Sequence, residues 1–206
     1  MPVSETAART RSRASLLLIF ALFAAPVVLA WLLFFVFPDW VPTSTSNHGE
    51  LIQPPRPLPA FQLESLSGGA VNEGFLQGKW TFIYPHQGAC DEGCIQQLFK
   101  VRQVRLTQGK NIDRLQRLML WDASGVEESV RRELQEHFPG QVIAIVPDAD
   151  LPLLNAFGVG GSSPFIAGGV YLVDPLGNLM MKYALDQEPR GMIKDLERLL
   201  KYSALR

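Results

Sequence analysis

An uninterrupted apolar run near the N-terminus constrains the fold of this chain more than any other feature. The run, LLLIFALFAAPVVLAWLLFFVF, covers residues 16–37 and contains no charged side chain over about 22 positions. At about 1.5 Å per residue, a helix of this length matches the roughly 30 Å hydrocarbon core of a bilayer. A cleavable signal peptide has a shorter apolar region of about 7–15 residues, so the pattern favours a membrane anchor over residues 15–38.

The charges before this run predict its orientation. Arg9, Arg11 and Arg13 precede it, and Glu5 is the only acidic residue there. Because positively charged flanks stay on the cytoplasmic side, we expect residues 1–14 to form a cytoplasmic tail. The rest of the chain then lies across the membrane, and in a bacterium this side is the periplasm, where disulfides persist. The predicted location is the inner (plasma) membrane, with a single span and a periplasmic C-terminal domain.

Prolines and charge set the organisation of the remaining chain. Five prolines, at 42, 54, 55, 57 and 59, predict an extended Pro-rich linker over residues 39–58, either a semi-rigid spacer or a disordered stalk. Residues 59–206 then have the size of one domain. The net charge is −1, and no basic stripe alternates with aromatic residues, so the sequence gives no support to a nucleic-acid partner.

Within residues 59–206, strand-like and helix-like patterns alternate. Short apolar runs predict strands at 80–84, 115–121, 142–146, 170–173 and 179–183. Three- and four-residue spacing predicts helices after Cys94, after Ser124 and at the C-terminal end, with a short helix at 151–157. Ser124 and Glu127 form a capping-box sequence, which predicts the start of the second helix. This order of elements is typical of an α/β sandwich with a mixed central sheet.

Cys90 and Cys94 are the only cysteines, and they lie between the first long strand and the first long helix. Two thiols at this junction are the thioredoxin arrangement. If Cys90 starts the helix, both sulfurs share one face, and the helix N-terminus stabilises a thiolate. Asp91 and Glu92 oppose this effect with negative charge. The pair is therefore predicted to be redox-active or metal-binding, and the alternative is a static disulfide that closes a very small loop.

These motifs resemble the Sco/SenC family of cytochrome oxidase copper-site assembly proteins, within the thioredoxin-like superfamily. Four pieces carry the resemblance between about residues 58 and 200: FQL at 61–63, GKW at 78–80, CDEGC at 90–94 and YLVDP at 171–175. The resemblance implies a thioredoxin-like α/β sandwich with a mixed central sheet, preceded by one N-terminal transmembrane helix. It also implies a role in maturing the copper site of a cytochrome c oxidase.

The chain departs from the family at two positions. The family has a copper-binding histidine about five residues before the YLVDP-like strand, where this chain has Ile166, and Ile95 replaces the proline after the second cysteine. The missing histidine favours a thiol-disulfide oxidoreductase over a copper protein. In this reaction Cys90 attacks a partner disulfide and Cys94 resolves the mixed disulfide.

His86, in the predicted loop 85–89, is the histidine nearest to the cysteines, whereas His48 and His137 are predicted to be solvated. His86 completes a Cu(I) site with Cys90 and Cys94, acts as a base for Cys90, or points into solvent. The alternative functions are thus a copper(I)-binding chaperone and an assembly protein without chemistry. The predicted partners are the membrane and a cytochrome oxidase subunit or another periplasmic copper or thiol protein.

Overall fold

A computed structural model describes residues 5–37, 47–147, 152–158 and 164–203. The chain divides into two compact units, Met1–Ser46 and Asn47–Arg206. The first unit contains helix α1, Glu5–Phe35, with Pro26 inside it. The stretch Ser15–Phe35 has a mean hydropathy of 2.8, and none of its most apolar window is buried. By length and composition this helix is a candidate membrane span, as the sequence predicts.

The second unit is built on a mixed sheet of eight strands. The strands are β1 (Glu50–Pro57), β2 (Gln62–Ser65), β3 (Ala70–Asn72), β4 (Trp80–Gln87), β5 (Leu115–Asp122), β6 (Val142–Ile145), β7 (Val170–Val173) and β8 (Asn178–Tyr183). Their order across the sheet is β1-β8-β7-β4-β5-β6-β2-β3. Strands β4, β5 and β6 run parallel, and every other neighbouring pair is antiparallel. All five strands predicted from the apolar runs are present.

Helices cover both faces of this sheet. They are α2 (Glu73–Leu76), α3 (Glu92–Leu106), α4 (Glu128–His137), α5 (Pro152–Phe157), α6 (Pro164–Ala167) and α7 (Pro189–Tyr202), with a 3-10 helix at Gly109–Arg114. One apolar cluster joins α3, α4 and α7 to the sheet through residues such as Leu98, Leu134 and Leu196. A second cluster on the other face includes Leu76 and Phe157. The predicted α/β sandwich with a mixed central sheet is confirmed.

The predicted Pro-rich linker over residues 39–58 is too long at its C-terminal end. Strand β1 lies within this segment and pairs antiparallel with β8, so that Glu50 faces Lys182 and Pro57 faces Asn178. Proline has no N–H to donate, but β1 is an edge strand, and its register shifts between Leu51 and Arg56. The compact domain therefore begins at Asn47 rather than at residue 59. Residues 39–46 of the predicted linker lie outside the described residues.

The predicted capping box at Ser124 and Glu127 is wrong. Helix α4 begins at Glu128, so Glu127 is itself the N-cap residue, and its side chain makes no capping hydrogen bond. The Ser124 hydroxyl instead donates to Asp122 Oδ1 at 2.6 Å. In a capping box the serine oxygen accepts a hydrogen bond from a free backbone N–H of the helix start, whereas here the hydroxyl donates to a carboxylate, and a bond to an ionised acceptor is stronger than one between neutral groups. The helix itself is confirmed, and only its first turn differs.

Candidate functional site

Cys90 and Cys94 form a disulfide at the junction between β4 and α3. The two sulfurs differ in accessibility, because Cys90 is half-buried whereas Cys94 is only 2% exposed. Strand β4 is central and parallel to β5, so the two cysteines that follow β4 lie at the carboxyl edge of the parallel strands. This edge is where open α/β sheets bind their ligands. A partner thiol or disulfide therefore reaches Cys90 more readily than Cys94.

The helix start differs from the prediction that Cys90 begins α3. The helix begins at Glu92, Asp91 is the N-cap residue, and Cys90 precedes it. The Asp91 side chain accepts a hydrogen bond from the backbone N–H of Cys94 at 2.9 Å. Cys94, rather than Cys90, thus lies in the first turn, where the helix dipole acts most strongly on a sulfur. Asp91 is a capping residue in addition to being a nearby negative charge.

His86 lies in strand β4 rather than in the predicted loop 85–89, and it pairs in register with Trp121 of β5. Its Nε2 lies 3.1 Å from the carbonyl oxygen of Ala89, which accepts a hydrogen bond only if Nε2 carries a proton. Its Nδ1 lies 3.3 Å from the hydroxyl of Tyr84, two residues earlier on the same face of β4. Burial, and then the charge of Asp91, raises the pKa of Tyr84 to about 12, so the hydroxyl keeps its proton near neutrality. The neutral imidazole that matches these contacts donates to Ala89 and accepts from Tyr84.

The loop that carries Cys90 is tied to the end of β5. The backbone N–H of Gly88 donates to the Asp122 carbonyl at 2.8 Å, and the Trp121 indole N–H donates to the Gly88 carbonyl at 2.8 Å. Gln87 also donates to the Asp122 carboxylate at 2.9 Å. The Ser124 hydroxyl, helped by Gln87, holds the pKa of Asp122 below its usual range. These bonds connect the loop before Cys90 to the end of β5 at three points.

The structure brings together the three residues that the sequence selected for the site. The ligand atoms of His86, Cys90 and Cys94 all lie within 4.8 Å of one another. Helix α6, which contains Ile166, contacts β4, although the side chain of Ile166 lies outside the described residues. His48 is exposed, as predicted, and its Nδ1 also lies 3.1 Å from the carboxylate of the buried Asp195. His137 is exposed on α4, as predicted.

The donor set of this site fits a soft monovalent metal only when the two cysteines are reduced. Two thiolates and an imidazole are ligands that Cu(I) prefers, but both sulfurs are bonded to each other in the disulfide. Both nitrogens of His86 also have hydrogen-bond partners, so ligation requires that the contact to Tyr84 or to Ala89 is given up. Reduction of the disulfide is therefore a precondition for binding copper at this site.

Fold and site together define a thioredoxin-like protein with a two-cysteine centre at the start of its first long helix. Residues 80–203 match the family described as "Transmembrane-like, thioredoxin-like, C-terminal domain". The chain belongs to this family. Among curated proteins, none matches the sequence significantly.

Solved structures with this fold include several Sco proteins, which confirms the Sco/SenC resemblance at the level of fold. Copper-bound ScoI of Bradyrhizobium japonicum is 21% identical, with a TM-score of 0.54 over 68% of this chain and 98% of that chain. Apo Sco1 of Thermus thermophilus is 17% identical, with a TM-score of 0.58 over 76% and 99%. The thioredoxin domain of a thiol-disulfide oxidoreductase from Bacteroides vulgatus is 14% identical, with a TM-score of 0.52 over 69% and 94%.

Two residues of the site were not selected from the sequence. Tyr84 contacts His86 through a hydrogen bond and by stacking, with ring centroids 5.7 Å apart. Residues two positions apart in a strand lie on the same face. Tyr84 would therefore have been recognised as a neighbour of His86 if the predicted strand had continued from Tyr84 to His86. Asp122 carries the polar contacts that support the loop, but it lies 32 positions after Cys90, and no local pattern links the two residues.

Proposed function

We propose that this protein is a membrane-anchored thiol-disulfide oxidoreductase that exchanges the Cys90–Cys94 disulfide with a cysteine pair of a partner protein. The observation that carries the proposal is the unequal exposure of the two bonded sulfurs at the start of α3. Exchange requires one sulfur that a partner can reach and a second sulfur held close enough to release the partner. Cys90 meets the first requirement and Cys94 the second.

The reaction transfers two electrons from the reduced pair to a partner disulfide. The Cys90 thiolate attacks one partner sulfur, a mixed disulfide forms, and the other partner sulfur leaves as a thiolate. The Cys94 thiol then gives up its proton and attacks the Cys90 sulfur. The Cys90–Cys94 disulfide forms, and the first partner sulfur leaves as the second thiolate. The reverse sequence of steps oxidises a partner dithiol.

The anchor and the family resemblance support a proposal for the compartment and the partner. A candidate span at the N-terminus, with arginines before it, supports a domain that faces the periplasm or another extracytoplasmic space. The resemblance to Sco/SenC proteins supports a partner in cytochrome oxidase assembly, namely the cysteines of a copper site that must be reduced before the metal enters. The domain would then keep these cysteines reduced.

The reduction potential of the pair tests this proposal. The full chain in detergent is equilibrated with mixtures of reduced and oxidised glutathione, and the free thiols are counted by alkylation and mass measurement. We expect a midpoint between about −270 and −120 mV, the span of known exchange catalysts. A midpoint below about −300 mV is typical of structural disulfides and would reject the proposal. The Cys90→Ser/Cys94→Ser double variant gives the background of alkylation.

A second candidate function is a copper(I) carrier, and the grouping of His86 with the two sulfurs favours it. After reduction, Cys90 and Cys94 would supply two thiolates, and His86 would supply an imidazole on giving up one hydrogen bond. Copper would here be the cargo that is handed to the partner. Reduction of the partner and delivery of copper would share the same three residues.

Anaerobic titration with Cu(I) against a competing chelator separates the two functions. For a carrier, we expect the reduced full chain to bind one Cu(I) tightly, and Cys90→Ser to abolish binding because one thiolate is lost. His86→Ala should weaken binding about tenfold or more, whereas His137→Ala, which removes an exposed histidine of α4, should leave it unchanged. If the wild-type chain leaves all the copper on the chelator, the carrier function is rejected.

A further inference from the structure

A groove of about 490 Å³ runs along the surface between helices α3 and α4. Its lining includes the half-buried Cys90 and three exposed apolar side chains, Ile95 and Phe99 from α3 and Val130 from α4. Ile95, Phe99 and Arg102 are spaced by four and three residues, so they form one stripe along α3. The stripe begins at the end of the helix where Cys90 lies and ends at Arg102.

The apolar side chains of the groove are unusually accessible. Ile95, Phe99 and Val130 are 37%, 52% and 41% exposed. Within the described part of the domain, from Asn47 onward, seven large hydrophobic residues are exposed, and three of them line this one groove (the others are Leu106, Leu176, Leu185 and Tyr202). Apolar side chains that gather beside a reactive sulfur indicate a binding surface rather than scattered exposure.

The end of the groove away from Cys90 is electropositive. Arg117, in β5, is 3% exposed, and its Nη2 donates to the carbonyl of Pro139, next to the groove residue Phe138. Its Nε and Nη1 have no hydrogen-bond partner among the described residues. Burial, and then the charges of Arg105 and Arg102, lowers the pKa of Arg117 to about 10. The three guanidinium groups therefore repel one another.

None of these three arginines forms an ion pair within the described residues. Glu133, on the α4 wall, is the acidic residue of the lining, and no ion pair joins it to Arg102 there. Lys100, which is close in sequence, turns away from the groove and donates to the carbonyl of Leu185 at 2.5 Å. A carboxylate that entered the groove would thus meet unpaired positive charge at Arg102.

We propose that this groove binds an extended segment of the partner protein in which apolar residues separate the reactive cysteine from an acidic residue three or four positions away. This inference rests on the proposed exchange function. It describes the segment of the partner whose cysteine would take part in the exchange. From Cys94 to Arg102 the helix advances eight residues, or about 12 Å. An extended chain covers this distance in three to four residues at about 3.3 Å each.

Each part of the segment has a counterpart in the groove. The partner cysteine lies at Cys90, the apolar residues cover Ile95, Phe99 and Val130, and the carboxylate lies at Arg102. A bidentate pair between a carboxylate and the Arg102 guanidinium is stronger and more directional than a pair with a lysine. A membrane surface carries no thiol, and in a second copy of this chain the cysteines belong to a folded helix start rather than to an extended segment.

Two matched peptides test the inference. Both peptides have the sequence Cys-Leu-Leu-Ser-X. The residue X, four positions after the cysteine, is glutamate in one peptide and lysine in its twin. The measurement is the rate at which each peptide thiolate opens the oxidised site in the full chain in detergent. The thiolate attacks Cys90, a mixed disulfide forms, and Cys94 leaves as a thiolate. Each rate is divided by the rate of the same peptide with hydroxyethyl disulfide, which removes differences in thiol reactivity.

We expect the glutamate peptide to react about tenfold faster than its lysine twin, which corresponds to about 1.4 kcal/mol. Phe99→Ser should slow the glutamate peptide about tenfold by removing the largest exposed apolar contact. Arg102→Glu should reverse the preference between the two peptides. Leu176→Ser is the matched control, because Leu176 is 72% exposed in the turn between β7 and β8, at the opposite edge of the sheet. This control should react as the wild type does.

Glutathione distinguishes failure of the groove from failure of the exchange function. If glutathione and both peptides fail to open the disulfide, the proposed exchange function is wrong. If glutathione opens it but the two peptides react at equal normalised rates in the wild type and in Phe99→Ser, the docking inference is overturned. It is equally overturned if the chain forms dimers that Phe99→Ser dissociates, because a second copy then occupies the groove.

Discussion

Replacing Cys94 with serine is expected to trap a stable mixed disulfide on Cys90 when the reduced full chain meets oxidised glutathione. Cys90 is half-buried and attacks the glutathione disulfide, releasing one glutathione thiolate. In the wild type Cys94 then attacks Cys90, so the intramolecular disulfide forms and the second glutathione leaves. Without the Cys94 sulfur the mixed disulfide remains, and mass measurement detects one bound glutathione per chain.

Replacing Cys90 with serine should have the opposite outcome. The remaining Cys94 is 2% exposed, so we expect it to react with oxidised glutathione about a hundredfold more slowly than Cys90 does in Cys94→Ser. Cys94→Ala is the control for the serine hydroxyl and should trap the adduct equally. In denaturant, both single-cysteine variants should react at the same rate, because the fold causes the difference. Faster reaction of Cys94 in the folded chain would assign the attacking role to it instead.

Replacing Asp195 with alanine is expected to lower the free energy of unfolding by about 3 kcal/mol. Asp195 lies on α7 and is 1% exposed. Its carboxylate accepts hydrogen bonds from the backbone N–H groups of His48 and Gly49, each at 2.9 Å, and its Oδ1 lies 3.1 Å from His48 Nδ1. These bonds tie the first residues of the domain to its last helix. Alanine leaves the buried N–H of Gly49 without its partner, which adds to the loss.

Chemical denaturation of the full chain in detergent, followed by tryptophan fluorescence, measures this effect. Glu197→Ala is the matched control, since it removes an exposed carboxylate from the same helix and should change stability by less than about 0.5 kcal/mol. Asp195→Asn keeps an acceptor oxygen but loses the charge, so we expect an intermediate loss. Equal stability of Asp195→Ala and Glu197→Ala would show that the contact to residues 48 and 49 does not hold the domain together.

Local patterns predicted those parts of the fold that depend on neighbouring residues. The apolar runs that form β4, β5 and β7 were visible because a strand buried on both faces needs apolar side chains at nearly every position. Strand β1 was missed because its prolines are typical of a linker, and only pairing with β8, more than 120 residues later, makes it a strand. The C-terminal end of β4 was missed for the same reason, since Gly88 and Pro85 indicate a loop until pairing with β5 extends the strand through His86.

The sequence alone determined that this chain has one apolar N-terminal helix, an α/β domain and two cysteines at a strand-helix junction, because each of these depends on side chains that are close in sequence. Only the tertiary structure decided which sulfur is accessible, since the packing of α3 on the sheet buries Cys94 and leaves Cys90 half-buried. It also decided the contacts of His86 and brought Phe99 and Val130 to one groove. Accessibility and grooves arise between elements far apart in the chain, and no local pattern contains them.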